Sequence, residues 1–285
     1  MITRPALRYH GGKWRLADWI IAHFPEHKTY IEPFGGGASV LLKKQPAAFE
    51  IYNDIDSEVW NFFKVLQNKT LCCELIHRLT MTPYGRDEFD AAYEDHGLDT
   101  EEDLVEGAAK MAIRSYMGYG NKGASGRIRT GFSTSPRDKS SGNLRFDIES
   151  WNRYPESLLN VAKRLKNTLI ENTDAIELMR KYDSPEALFY CDPPYLRSLR
   201  GTPNVYKFEM LEKDHRRLLE FLTECKAMVI LSGYAGDLYN GFLSDWEQVT
   251  KGTHTVNAGD RIETLWISPN AVRIQKLFSY KECCQ

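Results

Sequence analysis

A four-residue motif, Asp192-Pro193-Pro194-Tyr195, follows an apolar run at residues 187–191. A short apolar run of this kind predicts a buried strand, and open α/β sheets bind ligands at the carboxyl ends of their strands. The prolines stiffen the loop, which offers a carboxylate, backbone carbonyls and a flat ring. These groups suit the amino group of a heterocyclic base. The alternative is a structural Pro-Pro turn with a surface acid.

A glycine-rich turn lies near the N-terminus, where Phe34 precedes Gly35, Gly36 and Gly37. It joins a predicted strand at residues 29–32 to a helical pattern. Glycines let a ligand approach the backbone, and a helix N-terminus offers unpaired N–H groups. The spacing differs from the dinucleotide fingerprint, and no Lys-Ser or Lys-Thr follows as in a Walker loop. A ligand loop and a purely structural turn both remain open.

The second predicted strand ends in Asn53 and Asp54. An acid at this point in a nucleotide-binding unit can hydrogen-bond ribose hydroxyls. The alternative assigns Asn53, Asp54 and Asp56 to capping the next helix. Upstream, Tyr9 and Lys13 flank a Gly-Gly pair ahead of an amphipathic helical pattern. That placement indicates a flap that faces the same ligand.

Helical and strand patterns alternate at both ends of the chain, which predicts an α/β fold with a mostly parallel sheet and helices on both faces. Residues 1–63 and 155–285 form this predicted domain, whose last two strands are expected to be antiparallel. Residues 64–154 are mainly helical and then basic, and we interpret them as an inserted target-recognition region. Expected helices of the insert are 60–71, 87–93 and 101–116; expected later strands are 168–171, 188–191, 227–232, 246–250 and 263–268.

Taken in order, these motifs resemble those of the Dam-type adenine-N6 DNA methyltransferases, the D12 class or alpha group. In that family a Gly-Gly-Lys motif comes first, then Glu-Pro-Phe with glycines, an Asn-Asp-Ile-Asp-like motif, a recognition insert and Asp-Pro-Pro-Tyr. The resemblance covers essentially the whole chain, including residues 261–269, which are similar to the family's last strand. Many members carry Asn-Arg and Gly-Leu-Tyr-Arg elements in the insert; the nearest stretch here, residues 114–123, differs. The DNA target sequence therefore cannot be carried over.

The resemblance implies a methyltransferase sheet, S-adenosylmethionine as cofactor, and methyl transfer to the N6 amine of an adenine flipped out of double-stranded DNA. Asp192 and the Pro193 carbonyl would accept hydrogen bonds from the amine, as electrostatic preorganisation. Pro194 and Tyr195 complete the catalytic motif, and Tyr195 would stack on the base through its ring, for which the hydroxyl is not needed. The implied cofactor-binding set is Tyr9, Lys13, Phe34, Gly35, Gly36, Gly37, Asp54, Asp174 and Asp192.

Charge is distributed unevenly along the chain. The net charge of the 285 residues is −2, so overall charge does not indicate a polyanion binder. Residues 114–153 hold eight basic and three acidic residues, a net +5. Such a segment suits phosphate contacts, whereas the alternative is an ordinary solvated loop. We predict DNA contacts for Arg114, Lys122, Arg127, Arg129 and Arg137.

Other features of the sequence exclude further classes. The six cysteines contain no Cys-x-x-Cys pair and the seven histidines no ligand spacing, so no metal site is predicted. No apolar stretch approaches the ~20 residues of a membrane span, and no apolar leader region follows the start. We expect a cytoplasmic protein with reduced thiols that does not bind membranes and is a monomer or a weak dimer.

Two other classes of function remain open. One is a methyltransferase for N4-cytosine, RNA or protein glutamine that uses the same cofactor; these more often carry Ser or Asn at the position of Asp192. The other is a catalytically silent DNA-binding protein, against which the intact motifs argue. The sequence also leaves open whether the protein acts in restriction-modification and whether its gene is phage-borne or chromosomal.

Overall fold

The computed structural model describes residues 2–95, 97–120, 123–125, 129–133, 144–200, 206–255 and 259–275. Seven strands in this part of the chain form one sheet: β1 (Thr29–Glu32), β2 (Phe49–Asn53), β3 (Thr168–Glu171), β4 (Ala187–Cys191), β5 (Met228–Gly233), β6 (Glu247–Thr255) and β7 (Gly259–Ile267). Their order is β3-β2-β1-β4-β5-β7-β6. Strands β1 to β5 are parallel, and β7 runs antiparallel to both β5 and β6. The predicted α/β sheet is confirmed.

Helices cover both faces of this sheet. Successive side chains of a strand point to opposite faces, so the strands contribute to two buried clusters. Tyr30 and Tyr190 belong to one buried cluster, and Ile31 and Phe189 belong to the other. The described helices are α1 (Ala17–Ile21), α2 (Ser39–Lys43), α3 (Ser57–Gln67), α4 (Lys69–Met81), α5 (Arg86–Ala91), α6 (Glu101–Met117), α7 (Leu144–Asn152), α8 (Tyr154–Leu165), α9 (Ala175–Lys181), α10 (Glu212–Glu224) and α11 (Asp237–Phe242). Helices α3, α6 and α8 contribute to the first cluster, and α9 and α10 to the second.

The helix predicted at residues 60–71 is two helices in the structure. Helix α3 ends at Gln67 and α4 begins at Lys69. Asn68 separates them, because its side chain accepts hydrogen bonds from Thr70 N at 2.9 Å and Leu71 N at 3.2 Å. An Asn side chain that caps a following helix competes with continuation of the preceding one.

The last two strands are longer than predicted. Strands β6 and β7 pair from Glu247 opposite Ile267 to Thr255 opposite Gly259. The outer half of this hairpin lacks the apolar alternation on which the sequence prediction rested. Backbone pairing between the two strands extends the hairpin beyond residues 250 and 263, where the predicted strands stop.

The region predicted to be an insert, residues 64–154, shares its core with the rest of the described molecule. Leu75 of α4 and Met111 of α6 lie in the same buried cluster as Phe62 of α3 and Leu158 of α8. The insert therefore rests on the face of the sheet through α3 and α8.

A buried ion cluster joins β2 to the helix that follows the glycine turn. Glu50 accepts hydrogen bonds from Lys44 Nζ at 2.7 Å, from Arg164 Nη1 at 2.5 Å and Nη2 at 3.0 Å, and from Ala47 N at 3.0 Å. Arg164 also donates to the Leu41 carbonyl at 2.8 Å. Burial alone would raise the pKa of Glu50, but Arg164 and Lys44 hold it below its usual range. The cluster fixes α2, and hence the glycine turn, against β2 and α8.

Candidate active site

The glycine turn after β1 is held in shape by β2. Gly36 has a φ of 47° and Ala38 a φ of 53°, the left-handed region that favours glycine. A Cβ on Gly35 would lie 2.0 Å from the ring of Tyr52, so no side chain fits there. Tyr52 in turn donates its hydroxyl to the Gly36 carbonyl at 2.7 Å. The turn therefore presents backbone without side chains at the carboxyl end of β1, with Gly35 and Gly37 buried and Gly36 partly exposed.

Asp54 braces this turn from the end of β2. Its Oδ2 accepts from Gly36 N and its Oδ1 from Asp56 N, both at 2.8 Å. Asp56 is the N-cap of α3 and accepts from Glu58 N at 3.1 Å, so the capping alternative holds for Asp56. Burial raises the pKa of Asp54 to about 7. The brace between Asp54 and Gly36 was not predicted, because it joins residues 18 positions apart.

A cavity of about 260 Å³ opens at the carboxyl ends of β1, β2 and β4. It is the place where the strand order changes direction, since β1 pairs with β2 on one side and β4 on the other. Ligands of open α/β sheets bind at such switch points. The whole predicted cofactor-binding set lines this cavity: Tyr9, Lys13, Phe34, Gly35, Gly36, Gly37, Asp54, Asp174 and Asp192.

Residues 206–208 run along the cavity and are called the strap below. The sequence analysis did not predict a role for them. Tyr206, Lys207 and Phe208 all line the cavity. The Tyr206 hydroxyl donates to the His10 carbonyl at 3.4 Å, and Lys207 Nζ lies 2.9 Å from Glu58 Oε1. The strap is thus tied to the Gly-Gly-Lys turn on one side and to α3 on the other. No motif marks it, because its contacts are with residues far away in the sequence.

Asp192 forms an ion pair with Lys13 at the end of β4. The Lys13 ammonium lies 2.8 Å from Asp192 Oδ1, 3.7 Å from Glu263 Oε1 and 3.0 Å from the Gly11 carbonyl. Burial raises the pKa of Asp192 to about 6; Lys13 opposes that shift and Glu263 adds to it. Burial alone would lower the pKa of Lys13, but Asp192 and Glu263 raise it. Lys13, predicted as a flap residue and as part of the cofactor-binding set, is the charge partner of Asp192 in the structure.

Tyr195 stands beside this pair but is held by its hydroxyl. The hydroxyl donates to Glu263 Oε1 and lies 3.2 Å from Ser232 Oγ. Its ring packs edge-on against Tyr234, with centroids 4.7 Å apart. Pro194 lines the cavity, and Pro193 is buried. Asp192 and Pro194 of the motif thus line the cavity, whereas Pro193 and Tyr195 lie beside them, outside its described lining.

Glu32 is a further carboxyl at the cavity that the sequence argument did not single out. It is 2% exposed and accepts from the Tyr30 hydroxyl at 2.8 Å and from Leu41 N at 2.9 Å. Burial raises the pKa of Glu32 to about 8, against these hydrogen bonds. Its position directly before the glycine turn, at the end of β1, was the available signal.

Comparison with known proteins identifies the family. A family model described as D12 class N6 adenine-specific DNA methyltransferase matches residues 9–255. The chain belongs to this family. It therefore methylates the N6 amine of adenine in DNA, as the order of its motifs predicted. The match spans every motif from Tyr9 to Tyr195, so the cavity and the Asp192 corner lie within it.

Individual relatives of this D12-class methyltransferase agree with the assignment. Type II methyltransferase M.MjaIII of Methanocaldococcus jannaschii is 27% identical over 279 residues, which cover 85% of this chain and 90% of that protein. The DNA adenine methylase of Salmonella typhi is 24% identical over 256 residues, covering 87% and 86%. The DNA N-6-adenine-methyltransferase of Escherichia phage P1 is 23% identical over 231 residues, covering 78% of this chain and 28% of that longer protein.

One of the DNA contacts predicted for the methyltransferase is wrong. Arg114 is 5% exposed and donates to the Ala92 carbonyl at 2.8 Å and to Glu58 Oε2 at 2.5 Å. It lies on the face of α6 that packs into the core, so it cannot reach a phosphate in this structure. Its charge neutralises Glu58 and is used within the fold.

Arg129 fits the predicted role in position. Its side chain is 58% exposed, pairs with Asp90 at 2.6 Å and lies over the ring of Tyr93. The other three predicted contacts, Lys122, Arg127 and Arg137, lie outside the described residues.

The described part of the methyltransferase contains neither a candidate metal cluster nor a helix that could span a membrane. Among the residues described above, no group of three His, Cys, Asp or Glu side chains is arranged to hold a metal ion. In the same part of the chain, no helix is both long and apolar enough to cross a membrane.

Proposed function

We propose that the methyl donor is S-adenosylmethionine and that the acceptor is an adenine flipped out of double-stranded DNA into the corner formed by Asp192, Pro193 and Tyr195. The observation that carries the proposal is the cavity itself, which extends from the glycine turn to Asp192. A donor placed on the glycine turn and a base placed at Asp192 would therefore share one space.

The lining of the cavity fits the proposed donor better than it fits a phosphate-bearing nucleotide. Seven acidic residues line it, against three lysines and arginines, and Lys13 is already paired with Asp192. Carboxylates accept hydrogen bonds from ribose hydroxyls and from ammonium groups, and they repel phosphates. The three glycines of the turn line the cavity without side chains, which allows close approach of the ligand to the backbone. The residues that would hold the donor are those of the predicted cofactor-binding set.

S-adenosylmethionine would supply, when bound, an electrophilic methyl group on a sulfonium. As the N–C bond to the adenine amine formed, the S–C bond would break, S-adenosylhomocysteine would leave, and the methylated amine would lose one proton. The task of the protein is to orient and polarise a poor nucleophile, because the lone pair of the adenine amine is delocalised into the ring. Asp192, as a carboxylate, accepts a hydrogen bond from the amine, and the Pro193 carbonyl accepts a second. Acceptors fixed before the reaction favour charge development on the nitrogen without reorganisation. Tyr195 presents its ring to the base.

A base within a duplex cannot reach this buried corner, so the adenine must leave the stack. Unstacking costs about a few kcal/mol. Stacking on an aromatic ring returns about 1–3 kcal/mol, and phosphate contacts supply the remainder. We assign those contacts to the basic part of the insert, which includes Arg129 and the predicted residues Lys122, Arg127 and Arg137.

The direct test is transfer of a labelled methyl group. Purified protein, duplex DNA and S-adenosylmethionine labelled on its methyl group are incubated with a metal chelator, and the DNA is digested to nucleosides. We expect label in N6-methyladenine, with little label when single bases of the target site are changed. Label in N4-methylcytosine, or none in the DNA, would contradict the proposal.

A salt titration tests the role of the insert. If basic residues contact phosphates, log affinity falls with log salt concentration with a slope of about −0.9 per neutralised phosphate. Replacing Arg127, Arg129 and Arg137 by Ala should flatten the slope by up to about 0.9 for each phosphate that is no longer neutralised, and should weaken binding to all sequences alike. Arg216→Ala removes an exposed arginine of α10 and serves as the control. An unchanged slope in the triple variant would show that other residues bind the DNA backbone.

A further inference from the structure

Glu263 of β7 is a buried carboxylate next to the Asp-Pro-Pro-Tyr motif, and it has no role in the methyl transfer proposed above. It is 5% exposed. Its Oε1 accepts the Ser232 hydroxyl at 2.7 Å and the Tyr195 hydroxyl, and the Lys13 ammonium lies 3.7 Å away. One carboxylate oxygen thus touches the two groups that flank Asp192. Glu263 is absent from the described lining of the cavity, so any effect on the reaction acts through these neighbours.

We propose that Glu263 is a positioning residue for methyl transfer. It fixes the ring of Tyr195 through the tyrosine hydroxyl, and it fixes the Lys13 ammonium beside Asp192 through its charge. The inference rests on the proposed function, because it assumes that Tyr195 and Asp192 hold the adenine.

The contacts of Tyr195 explain why its hydroxyl matters. The ring is attached to the backbone at one end, and at the other its hydroxyl is bonded to Glu263 and close to Ser232. Tyr234 packs against the ring, and Lys13 Nζ lies 4.7 Å from its centroid. A ring held at both ends keeps one orientation. Orientation of this kind is what converts binding into a productive geometry.

The second contribution of Glu263 is its charge. Lys13 carries one positive charge between two buried carboxylates, so the group formed by Lys13, Asp192 and Glu263 has a net charge of −1 when both acids are ionised. The transferred methyl group arrives from a cationic donor, and a negative surrounding stabilises positive charge that develops on the amine. Without Glu263 the same group would be neutral.

The charge of Glu263 also affects the protonation of Asp192. Burial has the largest effect on the pKa of Asp192 and raises it. The charge of Lys13 lowers this pKa, and the charge of Glu263 raises it. Removing the charge of Glu263 should therefore lower the pKa of Asp192, and the enzyme should stay active at lower pH. The ionisable groups that interact with Asp192 among the described residues are Lys13, Glu263, Tyr195, Glu32, Tyr190, Tyr206, Cys191 and Tyr239.

The test uses Glu263→Gln, Tyr195→Phe and the double variant in the full-length protein. Glu263→Gln keeps the size of the side chain and removes its charge, and Tyr195→Phe removes the hydroxyl and keeps the ring. We expect each to lower kcat by up to about 100-fold, the loss caused by a misplacement of about 1 Å in the reacting geometry, with the affinity for S-adenosylmethionine unchanged. The double variant should lose much less than the product of the two, because both changes break the same hydrogen bond.

A pH profile separates positioning from mere stabilisation. The acidic limb of kcat should move to lower pH in Glu263→Gln and stay in place in Glu247→Gln, which changes an exposed glutamate at the start of β6. Thermal unfolding of each variant shows how much protein is folded at the assay temperature. A loss of stability with wild-type kcat per folded molecule and an unmoved limb would overturn the proposal.

Further outcomes are equally decisive. Fully additive effects in the double variant would show that Glu263 does not act through Tyr195. If Glu263→Gln does not fold, Tyr195→Phe carries the test, and wild-type kcat in that variant overturns the proposal. A wild-type protein that methylates no DNA would refute the proposed function itself. An active wild type with an equally active Glu263→Gln refutes this inference alone.

Discussion

Replacing Asp192 by asparagine should lower kcat by about 10²–10³-fold, the loss found when one preorganised electrostatic group is removed. The Lys13 ammonium, 2.8 Å from Oδ1, keeps the amide oxygen of the new side chain on its own side. The amide NH₂ group then faces the adenine amine, so two donors meet where a donor met an acceptor. Single-turnover rates on saturating DNA measure the loss.

The pH dependence of the wild-type methylation rate is a second test of the role of Asp192. Asp192 must be ionised to accept a hydrogen bond from the amine, and its pKa lies at about 6 because burial raises it. The rate of the wild type should therefore fall as the pH drops through about 6, whereas the residual rate of Asp192→Asn should lack this limb.

Asp192→Asn needs two controls. Asp237→Asn makes the same change at an exposed acid just after the neighbouring strand β5 and should keep wild-type rates. Thermal unfolding is also needed, because Lys13 is 6% exposed and Asp192 is its closest charge partner. Asp192→Ala would leave this buried cation poorly paired, so asparagine is the better test. Wild-type kcat in Asp192→Asn would rule out the acceptor role.

The second large effect concerns stability. Glu50→Ala should lower the free energy of unfolding by about 3–5 kcal/mol, because removing one partner of a buried ion pair leaves uncompensated charge. Here two cations lose their partner, Lys44 with a side chain 3% exposed and Arg164 with one 12% exposed. Chemical denaturation at neutral pH measures the change.

An exposed ion pair is the matched control for Glu50. Glu186 pairs with Lys28 on the surface, where the side chains are 62% and 72% exposed, and Glu186→Ala should lower the free energy of unfolding far less than Glu50→Ala does, because exposed ion pairs contribute little. The pKa of folded Glu50 lies below its ordinary value of 4.5. Its contribution is therefore present above that value and is lost as the pH falls further, so the two proteins should converge in acid. A Glu50→Ala variant as stable as Glu186→Ala would contradict this account.

The stability of the Glu50 cluster bears on function because the cluster supports the glycine turn. Arg164 bonds both Glu50 and the Leu41 carbonyl of α2. A partly folded Glu50→Ala protein should therefore lose donor binding before it loses the outer hairpin of β6 and β7.

Much of the candidate site could be predicted from the sequence, because each motif consists of residues that are neighbours along the chain. An apolar strand followed by turn residues marks the end of β4 just before Asp192. The same pattern marks the end of β1 at Glu32, ahead of the glycine turn, and the end of β2 just before Asp54. In a parallel sheet these ends lie on one edge. Neighbouring strands thus brought the three motifs to one cavity, as predicted.

Contacts between distant residues could not be read in this way. The sequence shows that Arg114 is charged, but its burial depends on Glu58, 56 positions earlier, lying opposite it in the fold. It also indicated that Tyr195 needs only its ring. The structure shows the hydroxyl bonded to Glu263, 68 positions later. A charge or a hydroxyl has no periodicity that reveals its partner.

The sequence by itself determined the order of the motifs, the α/β alternation and the chemistry of the groups at the strand ends, because these depend on local backbone preference and apolar patterning. Only the tertiary structure decided which charges face each other. Strand β7 lies antiparallel beside β5, which places Glu263 against Ser232 and Tyr195. The Gly-Gly-Lys turn places Lys13 against Asp192. Burial then shifts the pKa values of these groups, since the cost of desolvating a charge depends on what surrounds it in space.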